Sequence, residues 1–295
     1  MRILMIDFSV KSPTTIEELL KEIEAHQDGC FRFGAGYSDL LMEFKKQNSS
    51  PVTVINLTNI KEPFLTTISE HPDSIRIGAL VTASEIVSNA KIQELFPVLH
   101  KAAETLASKQ IRNVATIGGN ICTASPAGDI STALVALDAV CEILSSDNKI
   151  REVPIREFFK GVRKTDLNKN EVLRSIRIPF VREYKTIKSD YIKIGVRKSM
   201  ECSIVSLAYQ IYLNENGKIL NSGVAIGSSA PVIMFTKSAC DFLKDKNLNE
   251  INETAMEEFA KKIVEYASPI SDIRGSEWYR RQVLYNISRS IFEAE

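Results

Sequence analysis

Apolar positions fall into short runs whose spacing predicts mixed helix and strand from the start of the chain. Ile16, Leu19, Leu20 and Ile23 recur at helical spacing, behind Thr15 and Glu18 at the separation of a capping box. Cys30-Phe31-Arg32-Phe33 predicts a short strand that runs straight into Gly34-Ala35-Gly36-Tyr37-Ser38-Asp39, and Leu40 to Lys45 reads as helix. Val52 to Leu57 is β-branched and predicts a buried strand. Ser74 to Leu80 is another strand candidate, and Thr82 opens a helix. Phe96-Pro97-Val98-Leu99 opens a longer helix, with Leu99, Ala102, Ala103, Leu106 and Ala107 on one face. Pro97 suits the first helical position, where a missing N–H costs little.

From Ile111 to Asp129 small residues take over, and the pattern predicts a backbone that something approaches closely. Ser125-Pro126 reads as N-cap and first residue of a helix with Ile130, Leu134 and Leu137 on its apolar face. Val172 to Ile178 alternates as a strand and stops at Pro179, after which Lys and Arg become dense. Beyond it, Ser203–Leu213 and Lys218–Gly227 flank Asn216-Gly217, a hairpin signal, and the chain from Ser238 onward reads as helices. A chain of 295 residues lies at the upper limit of what one core ordinarily serves, so two domains are expected, 1–179 and 180–295.

Composition is ordinary for a globular protein, with 44% hydrophobic and 25% charged residues. Lys plus Arg and Asp plus Glu both count 37, so no basic excess points to nucleic acid or an acidic membrane. Cys30, Cys122, Cys141, Cys202 and Cys240 are scattered and form no C-x-x-C pair. They are read as reduced and structural, which places the chain in the cytoplasm, with neither disulfides nor an iron–sulfur site of its own. The apolar run at the N-terminus is short and broken by Asp7, and no segment approaches the roughly 20 apolar residues of a membrane span. His26, His71 and His100 are isolated and make no metal-ligand pattern. Trp278, Tyr279, Arg280 and Arg281 read as a partly exposed packing surface.

Two glycine segments carry the candidate chemistry: Gly34-Ala35-Gly36-Tyr37-Ser38-Asp39 and Thr116-Ile117-Gly118-Gly119-Asn120. A diphosphate needs several backbone N–H donors at short range, and glycine permits that approach. Ser38, Thr116, Asn120 and Thr123 can add donors. The spacing Gly34, Gly36, Asp39 fails the dinucleotide fingerprint G-x-G-x-x-G, and neither segment ends in the Gly-Lys-Ser/Thr of a P-loop. Taken from the residues alone, each segment is either a plain turn or half of a phosphate site.

Gln110-Ile111-Arg112-Asn113-Val114-Ala115-Thr116-Ile117-Gly118-Gly119-Asn120-Ile121, followed by Ala124-Ser125-Pro126-Ala127-Gly128-Asp129, resembles the signature of the FAD-binding domain of molybdopterin dehydrogenases. Val54–Leu57, Ile75–Thr82, Glu171–Pro179 and Tyr191-Ile192-Lys193 with Arg197 are similar to further family segments in the same order. The resemblance covers nearly the whole chain. It implies an α+β fold: a bilobal FAD-binding domain of the PCMH/vanillyl-alcohol-oxidase type, with lobes near 1–58 and 59–179, then a smaller α+β C-terminal domain. It also implies that Phe33, Gly34, Ala35, Gly36, Tyr37, Ser38, Asp39 and Leu40 wrap the FAD diphosphate while Thr116, Ile117, Gly118, Gly119 and Asn120 approach from the other side. Thr123 and Asp129 would bind polar parts of the cofactor, and Leu106 and Leu173 would pack against it. Lys193 would stand at the pyrimidine end of the flavin. Tyr191 would lie over the ring or be a half-exposed strand residue. The first loop departs from the family's frequent Ala-Gly-Gly-Thr-Asp by having Tyr37 where glycine stands.

The function so implied is electron relay in a hetero-oligomer, with no catalytic acid, base or nucleophile on this chain. A large partner subunit would hold the molybdopterin cofactor and a small one two [2Fe–2S] clusters. Electrons would leave FAD for an acceptor such as NAD or a quinone. The alternatives are a stand-alone PCMH-type flavin oxidoreductase and an assembly module without flavin.

Overall fold

Residues 7–26, 31–45, 52–197 and 200–293 are described by the computed structural model. The first lobe runs β1 (Phe8–Lys11), α1 (Ile16–Ala25), β2 (Phe31–Gly34), α2 (Leu40–Phe44) and β3 (Val52–Asn56). Its strands pair in the order β1-β3-β2, both pairs parallel. Leu19 and Ile23 bury the apolar face of α1. Thr15 caps that helix as its spacing predicts, but the Glu18 carboxylate reaches back to Thr14 rather than to Thr15. Cys30, expected to open β2, and residues 1–6 lie outside the described residues.

The second lobe follows with α3 (Pro63–Thr66), β4 (Ile68–His71), β5 (Ser74–Gly78), α4 (Ala83–Ser88), α5 (Ala90–Leu95), α6 (Pro97–Thr105), α7 (Lys109–Arg112), α8 (Ile117–Cys122) and α9 (Asp129–Ala136). After them come β6 (Val140–Ser145), β7 (Ile150–Pro154), α10 (Ile155–Phe158), the small hairpin β8 (Phe159–Gly161) and β9 (Lys164–Thr165), and β10 (Glu171–Pro179). The main sheet is antiparallel in the order β4-β5-β10-β6-β7, so β10 returns to fill the place between β5 and β6. A carboxylate is buried in it: Glu142 on β6 accepts from Arg76 Nε at 2.9 Å and Arg174 Nη1 at 3.4 Å, and from the Ser175 hydroxyl.

Two expectations change here. The second glycine segment is not a plain turn: Thr116 caps a short helix that runs through both glycines to Cys122. The next helix begins at Asp129, not at Ser125. Ala124 adopts a left-handed backbone, and the Ser125 hydroxyl accepts from Ala127 in a turn, so the chain changes direction before the helix starts.

The C-terminal part is an antiparallel sheet, β11 (Thr186–Ile194), β12 (Val205–Leu213), β13 (Ile219–Gly227) and β14 (Met234–Phe235) in sequential order. Helices α11 (Lys237–Leu243), α12 (Glu253–Val264) and α13 (Glu277–Ser290) cover one face. Arg280 is not on the partly exposed packing surface expected for Trp278 to Arg281. It is 3% exposed and donates to the Ser228 carbonyl at 3.1 Å and to Asp272 at 2.7 Å, while Trp278 beside it is 72% exposed. The other face of the sheet receives α9, whose eight residues are all buried. Gly223 makes that approach possible, because a Cβ there would lie 1.8 Å from the Ala136 carbonyl oxygen.

Candidate functional site

The first glycine segment leaves β2 at the carboxyl end of a parallel pair, the edge at which α/β sheets commonly receive ligands. The Leu57 N–H ties the Gly34 carbonyl down at 2.8 Å. Beyond it the backbone N–H groups of Ala35, Gly36, Tyr37, Ser38 and Asp39 meet no acceptor among the described residues. Five consecutive donors with no acceptor among the described residues suit an anion that touches backbone rather than side chains. Tyr37 holds φ at +57°. Phe33 is half-buried, edge-on to Phe31, and Leu40 begins α2.

The second segment is anchored from behind. Ile117 and Gly118 donate to the carbonyls of Val81 and Ala79, both at 2.9 Å, and the Gly119 N–H goes to the Thr116 hydroxyl at 3.0 Å. The Ile117 side chain lies wholly in the core, and its N–H is taken by Val81. Gly119 faces open space: a Cβ there would meet Thr116 Oγ1 at 3.0 Å and no other neighbour. The Asn120 side-chain oxygen accepts from Ser131 N–H and hydroxyl at 3.0 and 2.8 Å, which fixes α8 to α9. Thr123 closes α8, half-buried.

The two segments meet. A Cβ on Gly36 would lie 2.0 Å from the Val114 carbonyl oxygen, so bare backbone from the first lobe rests against the approach to the second segment. Arg163 adds a cation at this junction, and sequence reasoning missed it. It sits at the tip of the β8–β9 hairpin with φ +55°, donates its N–H to Ala124 at 3.0 Å and its Nη1 to Asp39 at 2.9 Å. Its one sequence signal is a cation-bearing turn, Gly161-Val162-Arg163-Lys164.

Asp129, at the start of α9, is 4% exposed and accepts from Tyr191 Oη at 2.6 Å and from Lys193 Nζ at 2.8 Å. Burial raises its carboxyl above the ordinary aspartate value, with Lys193 and then Tyr191 pulling it back down. Burial, then the neighbouring carboxylate, pushes the Tyr191 phenol well above its ordinary value, so it stays a neutral donor. Tyr191 is therefore not a half-exposed strand residue; its phenol is buried against Asp129. Alternation along β11 puts Tyr191 and Lys193 on one face, opposite α9. Leu106 is half-buried at the end of α6, and Leu173 is buried beside the irregular register of β10.

A dinucleotide's diphosphate fits this donor set: free N–H groups, glycine backbone facing open space and a cation alongside. Among the described residues no group of three His, Cys, Asp or Glu could hold a metal ion, and no helix is long and apolar enough to cross a membrane.

Comparison with known proteins points the same way. Residues 6–181 match the model of the FAD binding domain in molybdopterin dehydrogenase, and residues 190–294 match the C-terminal domain of the CO dehydrogenase flavoprotein. The glyceraldehyde dehydrogenase medium chain of Sulfolobus acidocaldarius is 32% identical over 97% of this chain and 98% of its own length. The xanthine dehydrogenase FAD-binding subunit of Escherichia coli O157:H7 is 28% identical over 87% of this chain and 86% of its own. Carbon monoxide dehydrogenase from Hydrogenophaga pseudoflava superposes with a TM-score of 0.88 at 25% identity, covering 97% of this chain and 96% of that one.

Proposed function

Because the chain belongs to the family of FAD-binding subunits of molybdenum hydroxylases, we propose that it is the flavin relay of such a complex and holds FAD between its two glycine segments. The five N–H groups of Ala35 to Asp39, which meet no acceptor among the described residues, carry this reading together with the open backbone of Gly119. They and Arg163 hold the diphosphate. Asp129 and Thr123 would hold polar atoms of the cofactor, and Lys193 would stand toward the pyrimidine end of the flavin. Tyr191 and Lys193 orient the Asp129 carboxylate and share its charge, so the site presents a fixed hydrogen-bonding group rather than a free cation. Leu106 and Leu173 exclude water from the ring.

When bound, FAD supplies a two-electron store that one-electron carriers fill stepwise and that a two-electron acceptor empties. The molybdopterin cofactor lies on a large partner subunit and the [2Fe–2S] clusters on a small one, since this chain's cysteines are scattered. Electrons leave for an acceptor such as NAD or a quinone. The free thiols among the described residues suit the cytoplasm.

Titration of the purified chain with FAD, followed by flavin fluorescence, tests the reading. Saturable binding that Gly119→Trp abolishes without unfolding the chain supports it. A folded chain that binds no FAD, alone and in its complex, refutes it.

A further inference from the structure

Tyr37 stands where the backbone asks for glycine. Its φ of +57° lies in the left-handed region, which a bulky L-residue rarely enters. The ring shows what keeps it there. A Cβ added to Gly34 would fall 2.5 Å from the Tyr37 Cζ and Oη and 2.6 Å from Cε1, so the phenol packs on a bare α-carbon three residues back. Gly36, between them, has its own α-carbon against the Val114 carbonyl. The turn is thus gripped from both sides, by its own aromatic ring and by the second lobe. Two of its glycines are required for close approach, while the third position, where flexibility would be expected, carries a large side chain.

We propose that Tyr37 is a positioning residue whose ring, seated on Gly34, sets the backbone of Ala35 to Asp39 in its anion-binding arrangement before the cofactor arrives. The inference rests on the diphosphate reading above and goes beyond it by assigning the order of the loop to one side chain. A loop with glycine at this place samples many backbone states and must be ordered as the ligand binds, which weakens binding. A loop already ordered by the ring avoids most of that loss. The ring carries the effect, not the hydroxyl.

The test uses the full chain and four variants: Tyr37→Phe, Tyr37→Gly, Gly34→Ala and the double Gly34→Ala/Tyr37→Gly. Three quantities are read: the Kd for FAD, the melting midpoint without FAD, and hydrogen exchange of residues 35–39 without FAD. Tyr37→Phe is expected to bind within about twofold of wild type, and Tyr37→Gly about tenfold more weakly. The midpoint of Tyr37→Gly should move by less than about 2 °C, because relief of the left-handed backbone offsets the lost ring contact. Its loop amides should exchange faster than wild type. Gly34→Ala displaces the ring and should weaken binding about tenfold in the wild type, yet under about twofold once Tyr37 is glycine. Tyr37→Gly binding as tightly as wild type overturns the proposal. So does affinity falling only in step with the midpoint, or full additivity of the Gly34 and Tyr37 changes. A folded wild-type chain that binds no FAD, alone and in its complex, overturns the diphosphate reading itself, and this proposal with it.

Discussion

Replacing Lys193 with Met probes the buried ion pair directly. The two charges lie 2.8 Å apart, with side chains 9% and 6% exposed. At an effective dielectric of ~20, unit charges at that separation attract by about 6 kcal/mol. Burying both offsets much of that gain, but removing one partner leaves the other uncompensated, at a cost of about 3–5 kcal/mol. Lys193→Met should therefore destabilise the chain by about 3 kcal/mol and lower its melting midpoint by about 6–10 °C. Asp129→Asn added to it should cost little more, since no buried charge then remains. Urea unfolding of wild type, both single variants and the double variant gives the coupling, expected to exceed about 2 kcal/mol.

The pH dependence has a definite sign. Burial already holds the Asp129 carboxyl above its ordinary value, and Lys193 is the largest influence lowering it. In Lys193→Met the folded value rises further. Between the ordinary value of about 3.9 and that raised one, the folded state binds more protons than the unfolded state, so stability falls as pH rises through the window. The variant's deficit should be smallest below about pH 4 and complete above the raised value. Single-variant costs that add within about 0.5 kcal/mol, or a deficit that does not shrink in acid, would refute the assignment.

Gly36→Ala should cost at least about 2 kcal/mol in unfolding assays and weaken FAD binding more than about tenfold, because its Cβ needs the space of the Val114 carbonyl. Arg163→Ala removes a half-exposed side chain, so stability should change by less than about 1 kcal/mol. Its FAD affinity should nevertheless fall several-fold and lose part of its salt dependence, measured by titration at two ionic strengths. Glu142→Gln leaves Arg76 and Arg174 without their buried counter-charge. It should destabilise the chain by about 3 kcal/mol in urea while FAD binding to the folded protein stays within about twofold, which separates structural from ligand-facing charge.

What the sequence made legible was local. Thr15 caps α1, Thr82 opens α4, Pro97 opens α6, and Asn216-Gly217 turns the hairpin with Gly217 at φ +76°. Each depends on neighbours within four residues. The strands that went unanticipated answer to distant partners. β1 needs β3, some forty residues on, and β6 reads as a plain apolar run interrupted by Glu142 until β10 supplies the arginine and serine that Glu142 meets. The helical character of Gly118 and Gly119 was hidden by their poor propensity, which the carbonyls of Val81 and Ala79 and the Thr116 cap override. In the site, Asp129, Tyr191 and Lys193 could each be named from the family resemblance. Their mutual bonds could not, because they span more than sixty residues. Arg163 escaped for the same reason, its partner Asp39 lying 124 positions earlier.

Helix α9 has a consequence for how the chain can be divided. The two matched family models part between residues 181 and 190, and β10 ends just before that gap. Yet α9 leans on the C-terminal sheet through Gly223, and Tyr191, Ala208 and Ala225 of that sheet share one apolar core with the second lobe. A fragment cut at the gap would bare one flank of its central helix and release Asp129 from both its donors. The sheet is in effect the missing wall of the lobe before it. A chimaera joining this N-terminal part to a relative's sheet should therefore fold only where that sheet keeps a glycine at the 223 position.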